Sequence, residues 1–239
     1  MPEPTSRRER ARKATLAEVH VAARKLLVTK GSNAVTINAV ARELGMSGPA
    51  LYHYFAGHED LVGAVTAGFF EELAQAMAAA RDERPGASLD QRLLATCRAL
   101  RAWATHHPAE FGWIFATPID KSNRATGSER HRAGQGFEQV LQDLIVELWE
   151  TRGFEVPDPV TLPDSLMSQL RSYSDAIGGR LPPEAAHVFL DCWIRLYGLL
   201  CMEILHQLDF VLADLEPVFE LCLRELASRL GLEYSEPDN

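Results

Sequence analysis

Cysteine is scarce in this chain, and the four present, Cys97, Cys192, Cys201 and Cys222, are widely spaced. No C-x-x-C pair occurs, and no Cys/His group has zinc spacing, so a disulfide-framed module and a zinc ribbon are both excluded. The four read as small buried hydrophobes in a reducing compartment. The N-terminus is charged and lacks an apolar signal core. Uninterrupted apolar runs are also missing. The longest apolar stretch, Ala185 to Leu205, contains Asp191, Arg195 and Glu203. Those charges argue for a helix buried in a protein assembly, not a membrane span. A cytoplasmic protein without a membrane partner is expected. No nucleophile elbow, P-loop or H-E-x-x-H motif is present, and "GQG" at Gly134 to Gly136 lacks the third glycine of a dinucleotide fingerprint. Neither an enzyme nor a cofactor is indicated. His106 and His107 are adjacent, so on a helix they point roughly 100° apart, a poor chelating geometry. No metal site is expected.

Net positive charge is lacking overall, at −9, but the balance is uneven. Residues 1–61 hold nine Lys+Arg against six Asp+Glu, or +3; the remaining residues hold fifteen against twenty-seven, or −12. The basic charge is densest in "RRERARK", Arg7 to Lys13. A basic tip on an acidic body suggests that only the tip meets a polyanion; a solvated, frayed terminus is the plainer alternative.

Sustained apolar–polar alternation is absent too, and the periodicity is helical almost throughout. Leu16, Val19, Ala23, Leu26 and Leu27 stripe a first helix that ends at Gly31. Thr36 caps a second, through Leu44, with Ile37, Val40, Ala41 and Leu44 inward. Gly45 ends it, and Ser47 caps a short third helix with Pro49 in its first turn. Gly57 opens a long fourth helix, to about Arg81, with the stripe Leu61, Val65, Phe69, Leu73 and Met77. Ser88 and Gln91 form a capping box for the next helix. The polar stretch from Thr117 to Gly136 reads as a loop before a helix of Phe137 to Thr151. A Pro-rich connection follows, and two apolar helices near Pro183–Leu208 and Asp214–Leu230 close the chain. The fold class is all-α, with about nine to ten helices.

The second and third helices have the lengths and punctuation of a helix-turn-helix, with the turn "LGMS" between them. In such a unit the last helix enters the major groove with its first residues at base edges. "AARKLLVTKG", then "VTINAVARELGMSGPALYHYFAGHEDLVGAV", resembles the tetracycline-repressor (TetR) family of transcriptional regulators. "VARELGMS" matches the motif core, and "LYHYF" with the following H-x-x-L matches the family's aromatic cluster.

The resemblance implies a helix-turn-helix DNA-binding domain over 13–73, with the motif at 36–55, and a ligand-binding and dimerisation domain over 74–232. Residues 1–12 would be a basic arm and 233–239 a flexible tail. It further implies that Thr36, Ser47, Tyr52, Tyr54 and His58 contact phosphates, and that Gly48, Pro49, Ala50 and His53 face base edges. Leu44, Leu51, Phe55 and Leu61 read as core. His58 stands where the family has Lys, so a fixed charge is lost. Gly48 and Ala50 offer no long polar arm, leaving room for water-mediated and shape readout.

"CRALRAWATHHPAEFGWIFATPI" resembles the C-terminal domain of one TetR subgroup, with its HP-x-x-F and F-x-T-P, and "WIRLYGLLCMEILHQ" fits that subgroup's W-x-x-x-x-G-x-x-x-x-E. The resemblance implies an effector pocket between the fourth helix and the body. Trp103, His107, Phe111, Trp113, Phe115, Met167 and Tyr173 are candidate liners, with plain core packing as the competing reading of each. The last two helices are apolar on more than one face, which calls for burial on more than one side. Asp191, Arg195, Gly198, Leu199, Val218, Cys222 and Leu226 are therefore expected in a homodimer interface, with Asp191 and Arg195 paired to each other or across it. The expected function is a regulator, in repressor form, that leaves a palindromic operator when a small-molecule effector binds. The alternative is a helical regulator controlled by a protein partner.

Overall fold

The computed structural model describes residues 7–83, 85–116 and 127–237. Residues 1–6 of the expected arm, 117–126 of the expected loop and the last two of the expected tail lie outside that set. Among the described residues there are ten α-helices and no strand. They are α1 (Arg7–Lys30), α2 (Ile37–Glu43), α3 (Gly48–Leu51), α4 (His58–Asp82), α5 (Leu89–His106), α6 (Pro108–Phe111), α7 (Glu129–Thr151), α8 (Asp164–Ala176), α9 (Pro183–Ile204) and α10 (Glu216–Arg229).

The chain forms two compact units, Met1–Glu72 with His107–Phe137, and Leu73–His106 with Glu138–Asn239. The first is not contiguous in sequence. A segment expected in the body, from His107 onward, belongs with the N-terminal helices.

In the first unit, α1 starts at Arg7, so residues 7–12 open the first helix instead of forming a separate arm. Its inward stripe Val19, Ala23, Leu26 and Leu27 is buried, and Leu16 is half-buried. Thr36 caps α2 by accepting from the Ala39 amide at 3.2 Å. Gly45 adopts φ +65 and lets the Met46 amide reach back to the Ala41 carbonyl at 2.8 Å, the glycine-terminated helix end that turns the chain toward α3. α4 enters with Glu59 and Asp60 in its first turn, where acids oppose the helix dipole. Asp60 Oδ2 also accepts from the Ala56 amide at 3.0 Å. The whole expected stripe of α4 is fully buried.

α7 begins at Glu129, eight residues before the expected Phe137. Ser128 caps it, accepting from the His131 amide at 3.1 Å. Its glycines do not break it. The face of Gly134 packs on the Phe70 ring, where a methyl would be in ordinary contact at 3.7 Å.

In the second unit, the predicted capping box of α5 forms in both directions, with Ser88 N to Gln91 Oε1 at 3.0 Å and Gln91 N to Ser88 Oγ at 3.2 Å. Leu94 and Leu100 of α5, Leu144 and Leu148 of α7, Leu200 of α9 and Phe219 of α10 are among the most deeply buried side chains. α8 lies in a stretch to which the sequence reading assigns no element; Met167, Leu170 and Ser174 turn inward, and Ser174 Oγ donates to the Leu181 carbonyl.

α9 has the length and mean hydropathy, 1.3, to cross a membrane by composition. Three of its charges are engaged within the protein: Glu203 with Arg101, Asp191 with Arg229, and Arg195 with Glu225. The expected Asp191–Arg195 pair is thus replaced by two links from α9 to α10. A carboxylate and a guanidinium one turn apart each find a partner on the neighbouring helix.

The segment after α10 is not free. The Glu233 amide donates to Asp90 Oδ2 at 2.8 Å, the Tyr234 hydroxyl to Glu220 Oε2 at 2.7 Å, and Arg98 Nη2 to the Ser235 carbonyl at 2.6 Å. Arg98 and Arg224 both lie against the Tyr234 ring. Residues 233–237, expected to be a loose tail, are a strap.

Candidate nucleic-acid interface

Ser47 caps α3 with a long bond, 3.4 Å, from the Ala50 amide, and Pro49 in the first turn removes no needed donor. α3 proper is four residues; turns then carry Tyr52 to Tyr54. The side chains sort sharply. Leu51 and Phe55 are buried, and Leu61 of α4 joins them. Leu44 is only half-buried. Tyr52 is 52% exposed, and Ser47, Pro49, His53 and His58 are exposed as well. Thr36 is exposed; Tyr54, Gly48 and Ala50 are half-buried.

This is what an aromatic and histidine cluster on one turn accomplishes. Leu51 and Phe55 anchor the turn in the core, so the tyrosine and imidazole groups between them project from a fixed base. Short rigid arms lose little entropy when they bond a phosphate. The structure adds one residue that sequence reading did not single out. The Asn38 amide oxygen of α2 lies over Gly48, 2.7 Å from where a Cβ would stand. Asn38 is exposed beside the start of α3 and offers the amide that Gly48 and Ala50 lack. Its only sequence signal is a polar residue at the second position of α2.

Behind this surface the first unit contains a charged node. Arg24 of α1 meets Glu72 of α4 at 2.5 Å and Glu110 of α6 at 2.9 Å, and its guanidinium lies 5.0 Å from the Phe69 ring centre. Glu110 is almost wholly buried. The Arg24 Nε–H is buried and makes no well-aligned hydrogen bond, so the 2.9 Å approach to Glu110 is an ion contact more than a directed bond. His107 Nδ1 stands 3.9 Å from the same carboxylate. Beside the node, His20 Nε2–H donates to the Ala64 carbonyl at 3.0 Å; the carbonyl only accepts, which fixes the tautomer. Burial pushes the His20 imidazole below its ordinary range, against the bond to Ala64 and the charges of Glu72 and Glu71; Arg24 lowers it further.

The expected effector liners divide between the two units. His107, Phe111, Trp113 and Phe115 lie in the first; Trp103, Met167 and Tyr173 lie in the second. Phe111 is packed, with Phe115 4.8 Å away, and Phe115 in turn meets Phe70 and Phe137. Trp113, in the π-helical turn Gly112–Ala116, donates its indole N–H to Thr66 Oγ1 at 2.8 Å. Trp103 and Met167 are buried; His107, Phe115 and Tyr173 are half-buried. Burial, and then Glu138, raise the Tyr173 hydroxyl above its ordinary range.

Of the expected interface residues, Gly198, Leu199, Val218 and Cys222 are half-buried, and nothing stands within 4 Å of a Cβ built at Gly198. Leu226 is a correction: it faces the interior of its own chain at 4% exposure, because the inward stripe of α10 runs through Phe219, Leu223 and Leu226. Ile194, Met202, Leu205, Phe210 and Leu221 are exposed large apolar residues on and between α9 and α10. Among the described residues, no group of three or more His, Cys, Asp or Glu side chains could hold a metal ion.

A capped helix, a glycine turn and a short helix with projecting hydroxyls and imidazoles, on an all-helical chain, define a helix-turn-helix DNA-binding transcriptional regulator. The chain belongs to the TetR family. The family model for bacterial regulatory proteins of the tetR family matches residues 20–65, and that for the tetracyclin repressor-like C-terminal domain matches residues 93–226. The HTH-type transcriptional regulator Rv1816 of Mycobacterium tuberculosis is 24% identical over 233 residues, covering 94% of this chain and 96% of that protein. The crystal structure of the putative regulatory protein SCO4313 is similar, with a TM-score of 0.69, 27% identity and coverage of 93% of this chain and 100% of that one. A protein of unknown function from Rhodococcus sp. RHA1 shares the fold at a TM-score of 0.63 and 17% identity, covering 91% of this chain and 94% of that one.

Proposed function

We propose that this protein is a cytoplasmic, homodimeric repressor that leaves a palindromic operator when a small molecule binds its C-terminal region. The observation that carries the reading is the sorting of side chains along α3, the turn after it and the start of α4: Leu51 and Phe55 inside, Tyr52, His53 and His58 outside. Thr36, Ser47, Tyr52, Tyr54 and His58 take phosphates; Gly48, Pro49, Ala50 and His53 approach base edges, with Asn38 beside them. Two copies related by a two-fold axis place two such turns on successive major grooves, roughly 34–36 Å apart. The exposed apolar residues of α9 and α10 support pairing there, since a patch of that kind on a soluble chain calls for a partner.

The half-buried members of the aromatic set, His107 and Phe115 in the first unit and Tyr173 in the second, are the separate candidates for meeting an effector. The test is a footprinted operator from the protein's own upstream region, titrated at several salt concentrations. Phosphate contacts release counterions, so log affinity should fall steeply with log salt. A flat plot would remove the phosphate-contacting assignment, and a single half-site footprint would remove the dimer.

A further inference from the structure

The second unit contains a groove of about 390 Å³ walled by the end of α4, the turn after it, α5 and the C-terminal strap. None of its lining residues belongs to the aromatic set expected to meet the effector. Its volume is in the range of small-molecule sites, about 300–1,000 Å³. Ala80, Ala95, Ala99 and Ala102 form its apolar floor, supplying only methyl groups.

Three arginines line it, Arg81, Arg92 and Arg98, against two glutamates, Glu83 and Glu236. The arginines' own acidic partners, Asp82, Glu147 and Glu220, are not part of the lining. Those contacts hold the arginines in place and leave donors to spare. Arg92 meets Glu147 through Nη2, and Arg81 meets Asp82 through Nε and Nη2. A guanidinium has five N–H donors in a fixed fork. This cationic lining lies within residues 62–239, whose charge sums to −12. Gln91 adds an uncharged polar group to the wall. The far wall, Ser235 to Pro237, is the strap, fixed by Arg98 on the Ser235 carbonyl and by Arg224 on Glu236.

We propose that this groove is a second ligand site, taking a small organic anion whose carboxylate meets the arginines and whose short apolar body lies on the alanine floor. A planar carboxylate matches the guanidinium fork in two parallel bonds. An apolar body of ring or short-chain size packs on these methyl groups. The strap makes the site conditional on the C-terminal segment being docked.

The test is calorimetric titration of the full-length protein with hexanoate, octanoate and benzoate, each beside its uncharged primary amide. At least one acid should bind, and its amide should bind at least tenfold more weakly. Ala99→Leu fills the floor without touching an arginine and should weaken the acid at least tenfold. Ala102→Leu, at an exposed position, repeats the test should Ala99→Leu lower the melting temperature. Arg92→Gln should weaken the acid and leave the amide unchanged. The proposal is overturned if no acid binds at millimolar concentration, if the amides bind equally well, or if both leucine variants bind like the parent. The last result would place the anion in another pocket. Operator binding without added acid, measured on the same variants, reports on the proposed repressor function separately.

Discussion

Arg24 and Glu110, 86 positions apart in the chain, face each other across the first unit and join the first helix of the DNA-binding region to α6. Glu110 is nearly sealed from water, whereas the Arg24 side chain is 32% exposed and also holds Glu72. The two ends of the pair are therefore unequal. Arg24→Met strands a buried carboxylate and should cost roughly 3–5 kcal/mol. Glu110→Gln removes that buried charge and leaves Arg24 its second partner, so about 1–2 kcal/mol is expected. Denaturant melts of both variants check the order. Equal losses would mean that Glu110 is solvated in solution.

His20 predicts a pH dependence. Its folded-state pKa is lowered, so between that value and its ordinary 6.5 the unfolded chain binds the extra proton. Its contribution is complete above about pH 6.5 and is lost as the pH falls toward the folded value. Melts from pH 8 to pH 5 should show stability falling on the acid side, and His20→Asn should flatten that slope. Gly68 belongs to the same contact. A Cβ there would come within 1.9 Å of the imidazole, which Ala64 and the edge-on Phe69 ring hold in place. Gly68→Ala should cost about 1–3 kcal/mol by overpacking, and should shift the His20 imidazole resonances.

The strap should loosen in acid. Burial alone would raise the Asp90 carboxyl, yet Arg152 and the Glu233 amide hold it below its ordinary range. Glu220 is likewise held low against burial, by Arg98 and Tyr234. Stability from both is present above their ordinary values and is lost as the pH falls through the lowered ones. The Glu233 amide should be protected from hydrogen exchange near neutrality. Asp90→Asn should expose it, while the core amides of α5 stay protected. Exposure spread across α5 would make Asp90 a global fold determinant instead.

At the turn proposed to face DNA, Tyr52→Phe should weaken operator binding by about 1 kcal/mol, one net hydrogen bond, with an unchanged melting temperature. His58→Lys should strengthen binding without altering sequence preference, through an added phosphate-facing charge. A changed preference among operator variants would assign His58 to a base edge.

Much of this was legible because local physics decided it. The α4 stripe repeats at helical spacing, and the Ser88–Gln91 box is a four-residue pattern whose bonds need no tertiary context. The early start of α7 was hidden by Gly134 and Gly136, which read as breakers although Phe70 packs on the first of them. The strap was hidden by its polarity. Tyr234 and Glu236 look like a solvated end until Arg98 and Arg224, distant in sequence, are placed beside them. Pairing of Asp191 and Arg195 with α10 could not be read from one helix alone. Nor could the grouping of His107–Phe137 with the N-terminal helices, which only tertiary contacts reveal.

The bond between Trp113 and Thr66 has an optical consequence. An indole N–H held by a buried hydroxyl emits from a fixed, largely dry environment, while the other three tryptophans, Trp103, Trp149 and Trp193, lie in the second unit. With those three replaced by phenylalanine, emission from the remaining indole would report, in real time and without a label, whether the π-helical turn stays seated on α4.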